Sequence, residues 1–464
     1  MIKGTFLMPH PPILIPKVGR GAEKECAGLI DGLHEIGKRI KDIAPDTIVV
    51  ITPHGPVFSD GIAIGYDDGL YGSLEKFGYP DISISKENNK ILVDKIIYES
   101  SQIDVPCLKL NDENAEYFNI SKSLDHGVIV PLEFVDDHYS DYKLVHITYG
   151  LFSSHKLYEF GRIIQACSTL ENIVVIASGD MSHCLKDEGP YDYHPSGPVF
   201  DQKIRKILEE KDILSAMFFD EKLQSEAGEC GKRSIDIMLG TLDGYDYDPT
   251  TYGYDGPFGV GYLAMGFENL KVDENRQFTH LIDSRYKTTK SDKLSKESHF
   301  VKLARRTIEK YLGLTDEIMY DLLPAEMFEA KAGTFVSLKK HGALRGCIGT
   351  IGPTEDNVAL EIVSNAVKAA FEDPRFPEVE ASELEDLEIT VDVLLEPEAI
   401  DDISLLDTKI YGVIVTSGHK RGLLLPNLEG IDSVEEQVRI ACQKGSISES
   451  EDYQLERFEV VRYY

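Results

Sequence analysis

Three histidines in the first two hundred residues share a setting that suits metal or acid–base chemistry. His10 follows Met8-Pro9, His54 follows Thr52-Pro53, and His183 closes the run Ser178-Gly179-Asp180-Met181-Ser182. Each lies just beyond an apolar run of strand character: Thr5–Met8, Asp46–Thr52 and Asn172–Ala177. In open α/β sheets ligands sit outside the carboxyl ends of the strands. Proline before His10 and His54 stiffens those two turns, which suits a ligand that must hold its aim. His126, in Asp125-His126-Gly127, precedes a fourth apolar run and is expected at the start of a strand over 127–130. Nine of the 13 histidines fall before residue 200, so the chemistry is concentrated in the first part of the chain. One histidine is more often a satisfied structural residue than a ligand, but three at strand ends reverse that weighting. His34, His138, His146 and His155 lack this setting and read as structural.

Neutral imidazole binds iron and zinc, and two imidazoles with one carboxylate on one face make an open iron(II) site. The carboxylate must come from another turn, and Glu226-Ala227-Gly228-Glu229-Cys230-Gly231 offers an acid and a thiol between glycines. Adjacent side chains diverge by about 100° once helical, so only one of Glu229 and Cys230 faces the metal. The hard carboxylate of Glu229 suits iron(II). The thiol of Cys230 would favour a softer ion such as zinc or copper. His183, neutral near its ordinary value of about 6.5, can take a proton from a substrate. Asp180, three residues earlier, either orients His183 or caps its turn.

These turns need a scaffold. The chain has 464 residues, a net charge of −32 and 42% apolar residues, enough for two or three packed domains. By segment the charge is −19 over 1–268, +2 over 269–295 and −15 over 296–464. That distribution argues against a nucleic-acid or anionic-membrane partner. No apolar stretch is long enough to span a bilayer and the start lacks a signal-peptide pattern, so a cytoplasmic protein is expected. Seven scattered cysteines without CxxC spacing fit reduced thiols. Residues 1–268 alternate strand and helix signals, with helices near 20–43, 154–169, 200–218 and 229–241, and predict an α/β domain with a largely buried mixed sheet. Residues 269–295 are polar and predict a linker. Residues 296–464 predict a smaller α+β domain. Its helices lie at His299–Leu312, Val358–Phe371 and Ser433–Lys444, and its strands at Gly333–Lys339, Leu387–Leu395 and Gly412–Thr416.

In this second domain the run Leu344-Arg345-Gly346-Cys347-Ile348-Gly349-Thr350 stands out. Glycines flanking Cys347-Ile348 suggest a strand that another backbone approaches closely. Arg345 offers bidentate anion recognition beside Cys347. The plainer alternative is a buried cysteine in a hairpin, with Arg345 in an internal ion pair.

The motifs MPHPPI, TPHGPVFSDG, DHGVIVPL, SGDMSHCL, YHPSGPVFD and AGECG resemble those of the class III extradiol ring-cleavage dioxygenases, a superfamily that includes the Memo proteins. That resemblance covers about residues 1–268. It implies iron(II) held at the positions of His10, His54 and Glu229, His183 as acid/base, and His126 in contact with substrate and oxygen. Cys230-Gly231-Lys232-Arg233 resembles the Memo branch instead, where the third ligand position is a cysteine. LRGCIGT, EDPRFPEV, LEITVDVLLEPE, YGVIVTSGHKRGLLLP and VEEQVRIACQKGSI resemble the AMMECR family over about 297–464, which implies a groove lined by the Arg345–Gly349 turn, with Arg345, Cys347 and His419 as its candidate site residues. The fusion resembles the A proteins of the prokaryotic AmmeMemoRadiSam system, which implies a radical-SAM partner. The function these resemblances imply is an iron(II) extradiol dioxygenase acting on a small, catechol-like aromatic. The alternatives are an oxygen-independent metal enzyme working with the radical-SAM partner, or a metal-binding adaptor whose AMMECR groove docks a peptide.

Overall fold

The structure is a computed structural model. It describes residues 1–464 except 104, 188, 190, 319, 341, 342, 429, 430, 432, 449 and 450, with the backbone alone at 322 and 385. Two compact units divide the chain, Met1–Thr288 and Thr289–Tyr464.

The first unit is built on an eight-stranded mixed sheet. Its strands are β1 (Ile2–Met8), β2 (Thr47–Thr52), β3 (Ile62–Gly65), β6 (Cys107–Leu110), β7 (Lys143–Thr148), β8 (Ile173–Ser178), β9 (Tyr245–Asp255) and β10 (Tyr262–Val272). A separate hairpin of β4 (Gly69–Leu74) and β5 (Tyr79–Glu87) follows β3. The sheet order is β6-β3-β7-β2-β8-β1-β10-β9. The central strands β2, β8 and β1 are parallel to one another, so their carboxyl ends share one edge. β2 and β8 are buried along their whole length, as strands covered by helices on both faces must be. Ile48 and Val50 pack on one face with Leu29, Leu33, Ile36 and Ile40 of helix Ala27–Ile43. Val49 and Ile51 alternate to the other face, against Leu157, Phe160 and Ile164 of helix Ser154–Cys167. Each such side chain contributes about 1.5–3 kcal/mol by leaving water.

Two expectations are corrected here. The run after His126 is a helix, His126–Asp136, and not a strand. Its β-branched residues read as a strand because eight of its eleven residues are buried, and a helix apolar all round shows no 3.6-residue period. Asp125 starts it by accepting a hydrogen bond from Gly127 N. The stretch 269–295, expected as a linker, contains the end of β10, a 3-10 turn at Glu274–Arg276 and the helix Thr279–Lys296. Only Ile282 of that helix is buried, so its polar composition concealed it.

The second unit is α+β, with two four-stranded antiparallel sheets. One has the order β12 (Ala343–Gly349), β11 (Thr334–Lys340), β13 (Leu387–Leu394), β18 (Val460–Tyr463). The helices His299–Tyr311 and Val358–Phe371 pack in its core. The other has the order β14 (Glu398–Ile400), β17 (Gln454–Phe458), β15 (Gly412–Ser417), β16 (Lys420–Leu424), and helix Val434–Lys444 packs with it. No described helix is long and apolar enough to cross a membrane.

Candidate metal centre

The shared carboxyl edge of β2, β8 and β1 gathers the expected histidines. His10, two residues past β1, and His54, two past β2, bring their Nε2 atoms to 2.9 Å. His126, at the first turn of its helix, stacks on His54 with ring centroids 4.1 Å apart and lies edge-on to His10 at 5.4 Å. One ligand atom from each of the three falls within 4.8 Å of the others. His10 is buried, whereas His54 lies at the open mouth.

Hydrogen bonds hold the His10 ring and the His54 turn in place. The Nδ1 of His10 lies 2.9 Å from Ser178 Oγ, at the end of β8. With Nδ1 donating to that hydroxyl, Nε2 keeps its lone pair for a metal. Thr52 Oγ1 accepts from His54 N at 3.2 Å and donates to Asp125 Oδ1 at 2.7 Å. Asp125 Oδ2 is 3.4 Å from Nε2 of the buried His146. Two strand-end hydroxyls therefore tie the histidine turns to the sheet. Sequence reasoning missed Ser178, Thr52, Asp125 and His146 in this role. The available signal was the hydroxyl residue that ends β2 and β8, Thr52 and Ser178.

The geometry separates the two candidates for the third ligand. Glu229 Oε2 accepts from Lys232 N at 2.5 Å and Oε1 accepts from Gln224 Nε2 at 2.7 Å. Its carboxylate thus serves the free N–H groups at the start of helix Lys232–Thr241, where an acid is favoured. Cys230 turns the other way, placing Sγ 3.6 Å from His10 Nε2, where it accepts from Asp180 N at 3.3 Å. A side chain at Gly179 would collide with the backbone of Gly231, so both glycines are needed for the two turns to meet. The carboxylate beside His10 belongs to Asp180: Oδ1 accepts from His10 N at 3.0 Å, and Oδ2 lies 3.7 Å from His10 Nε2. Asp180 was expected to orient His183 or cap its turn, but it faces His10 instead.

His183 is half-buried and stacks on the exposed Tyr191 at 5.2 Å. Phe77 meets His126 edge-on at 5.1 Å, and neither aromatic was singled out from sequence. Burial, reinforced by His54, pushes the His183 imidazole down to about 4. His54 falls to about 4 through desolvation and its neighbour His126. Burial first, then His54, His126 and His183, drives His10 well below its ordinary value. All three are thus neutral at pH 7. Burial raises the Asp180 carboxyl to about 7, opposed by the hydrogen bond from His10 N, and raises the Cys230 thiol well above its usual range.

This donor set fits a transition-metal ion. Metal–imidazole bonds of about 2.0–2.1 Å place two ligand nitrogens roughly 3 Å apart, and neutral imidazole suits iron, zinc or copper. The nitrogens of His10 and His54 meet that spacing as they stand.

The second unit's candidates behave differently. Arg345 is the extra residue of a β-bulge on β12, and its guanidinium grips Glu383 through Nε at 3.0 Å and Nη2 at 2.7 Å. Nη1 also donates to Pro377 O and Nη2 to Glu378 O. Of the two readings of Arg345, the structure shows the internal ion pair. Cys347 Sγ lies 3.2 Å from Ser337 Oγ on β11, while its backbone is held by Asp373 and Arg375. His419 is exposed in the turn between β15 and β16, on the other sheet. Arg345 and Cys347 share a strand, and His419 shares neither their strand nor their sheet.

Comparison with known proteins agrees with this division. Residues 4–265 match the family described as the catalytic LigB subunit of aromatic ring-opening dioxygenase, and residues 301–463 match AMMECR1. A Clostridium acetobutylicum protein is 43% identical over 100% of this chain and 99% of its own. A Thermotoga maritima protein is 52% identical over 36% of this chain and 98% of its own. Among solved structures, an Escherichia coli K12 protein is 16% identical, covers 57% of this chain and 99% of its own, and has a TM-score of 0.40. The chain belongs to the LigB ring-opening dioxygenase family through its first unit, fused to an AMMECR1 domain.

Proposed function

We propose that the first unit is a cytoplasmic non-haem iron(II) enzyme that cleaves a catechol-like aromatic ring in the extradiol manner. The observation that supports this most is the pair of neutral imidazole nitrogens, His10 and His54, 2.9 Å apart at the carboxyl edge of a parallel sheet core. When bound, the metal supplies Lewis acidity toward adjacent ring hydroxyls and one-electron chemistry toward dioxygen. Ser178 fixes the tautomer of His10, and Asp180 holds its turn. His183, neutral at pH 7, accepts a proton from a ring hydroxyl. Tyr191 beside it and Phe77 beside His126 offer aromatic faces to a flat substrate. The acidic surface favours a neutral ring over a polyanionic one.

The test is oxygen uptake by anaerobically iron-loaded protein presented with simple catechols. Uptake with ring-opened product in the wild type, and its loss in His183→Ala at unchanged iron content, is the expected result. Full iron loading without uptake on any catechol contradicts ring cleavage.

A second reading has its own observation. The Cys230 sulfur, and not a glutamate, stands beside His10, and a thiol with imidazoles suits zinc or copper. In that case the centre performs an oxygen-independent step with a radical-SAM partner. Partner-dependent activity that survives strict anoxia would distinguish it.

A further inference from the structure

Away from the strand ends, a second group of metal-ligating side chains converges. His155 and Glu159 are four residues apart on helix Ser154–Cys167 and so project from one face. Asp283 reaches the same point from helix Thr279–Lys296. His155 Nε2 is 2.7 Å from Asp283 Oδ1 and 3.9 Å from Glu159 Oε1, and the three ligand atoms all fall within 4.8 Å of one another. Tetrahedral zinc with bonds of about 2.0–2.1 Å spaces its ligand atoms roughly 3.3 Å apart, a value that lies between the two observed separations. The side chains are largely shielded, at 16%, 22% and 32% exposure for His155, Glu159 and Asp283. Tyr286 stacks on the His155 ring at 4.7 Å, fixing its plane.

The electrostatics favour a cation. Two carboxylates converge on one imidazole nitrogen, and a lysine, Lys156, adjoins the group. Its Nζ lies 3.5 Å from Glu159 Oε2, on the far oxygen, and donates to Ile103 O. Glu159 Oε2 is buried without a hydrogen bond. Glu159 Oε1, Asp283 Oδ1 and His155 Nε2 remain as the inward set. One neutral imidazole and two carboxylates balance the charge of a divalent ion.

We propose that His155, Glu159 and Asp283 form a second divalent-metal site, of zinc type, that cross-links helix Ser154–Cys167 to the start of helix Thr279–Lys296. It is independent of the His10/His54 centre, shares no residue with it, and serves structure. The polar Thr279–Lys296 helix buries only Ile282, so hydrophobic packing does little to anchor it. A metal bridge supplies the missing attachment.

The test uses the full chain, stripped with a chelator, dialysed against zinc and assayed for bound metal. The wild type should hold one more equivalent than Asp283→Asn, while His54→Ala should retain that equivalent. Zinc should also slow amide exchange over residues 279–288 in the wild type and leave the rate unchanged in Asp283→Asn. Glu159→Gln, which preserves shape, guards against misfolding and must lose the same equivalent. Equal zinc content in the wild type and either variant overturns the site and leaves His155–Asp283 as a hydrogen-bonded tether.

Discussion

The His10/His54 turns and the Arg345/Cys347 strand look alike in sequence, each a short run of chemistry-bearing residues among glycines and prolines. They differ in what their polar atoms do. At the first, His10 and His54 turn their Nε2 atoms to one another, with a ring nitrogen of His126 within 4.8 Å. At the second, every arm of Arg345 is engaged by Glu383 or a backbone carbonyl, and Asp373 and Arg375 close the backbone of Cys347. A residue whose every polar atom is engaged within the fold is scaffold, whatever its chemical promise. A residue held from one side with a reactive atom left over is a site.

The largest effect that sharpens this contrast is His10→Ala. Losing a ligand should weaken metal binding at the centre by more than the about 100-fold typical of outer partners. The unfolding of the second unit should not change. Metal content and denaturant unfolding of the same sample read both. If His10→Ala keeps its metal, the contrast fails at its first term.

Glu383→Gln should do the opposite, destabilising the second unit by about 2 kcal/mol with metal content unchanged. That is below the about 3–5 kcal/mol of a fully buried pair, because these side chains keep 12% and 15% exposure. The pH dependence has a definite sign. Against the opposing effect of burial, Arg345, the Glu380 N–H and Lys340 hold the folded Glu383 carboxyl at about 2, against an ordinary 4.5. Protonation therefore favours the unfolded chain: the contribution is complete above about pH 4.5 and is lost as pH falls toward about 2. Unfolding of wild type and Glu383→Gln should converge over that window. A constant difference down to pH 2 would deny the ion pair its role.

The smallest expected effect is Glu229→Ala. Removing its carboxylate from the start of helix Lys232–Thr241 should cost about 1 kcal/mol of stability. Metal affinity should stay near wild type. A loss of metal comparable to that of His10→Ala would restore Glu229 as a ligand.

Much of the scaffold was legible in sequence. Strands such as Thr47–Thr52 are short apolar runs with clear stops, and helix Val358–Phe371 matches its pattern to the residue. His126–Asp136 was misread because full burial erases periodicity, and Thr279–Lys296 because near-complete exposure erases it too. At the centre, the strand-end histidines were readable because β2, β8 and β1 are adjacent and parallel. The partner of each was not. Whether Glu229 or Cys230 faces His10 depends on where Gly231 meets Gly179, a contact between turns 52 residues apart. His155 was set aside as structural because Asp283, its partner, lies 128 residues further on, in a stretch with no apparent structure of its own.

The central claim is that the carboxyl edge of β2, β8 and β1 holds a metal ion between His10 and His54. Anomalous scattering from crystals of the metal-loaded full chain, collected on both sides of the metal's absorption edge, tests it directly. The account predicts a peak within about 2.0–2.2 Å of both Nε2 atoms, on the side shared with His126. Metal-replete crystals with no anomalous density at that point would contradict it.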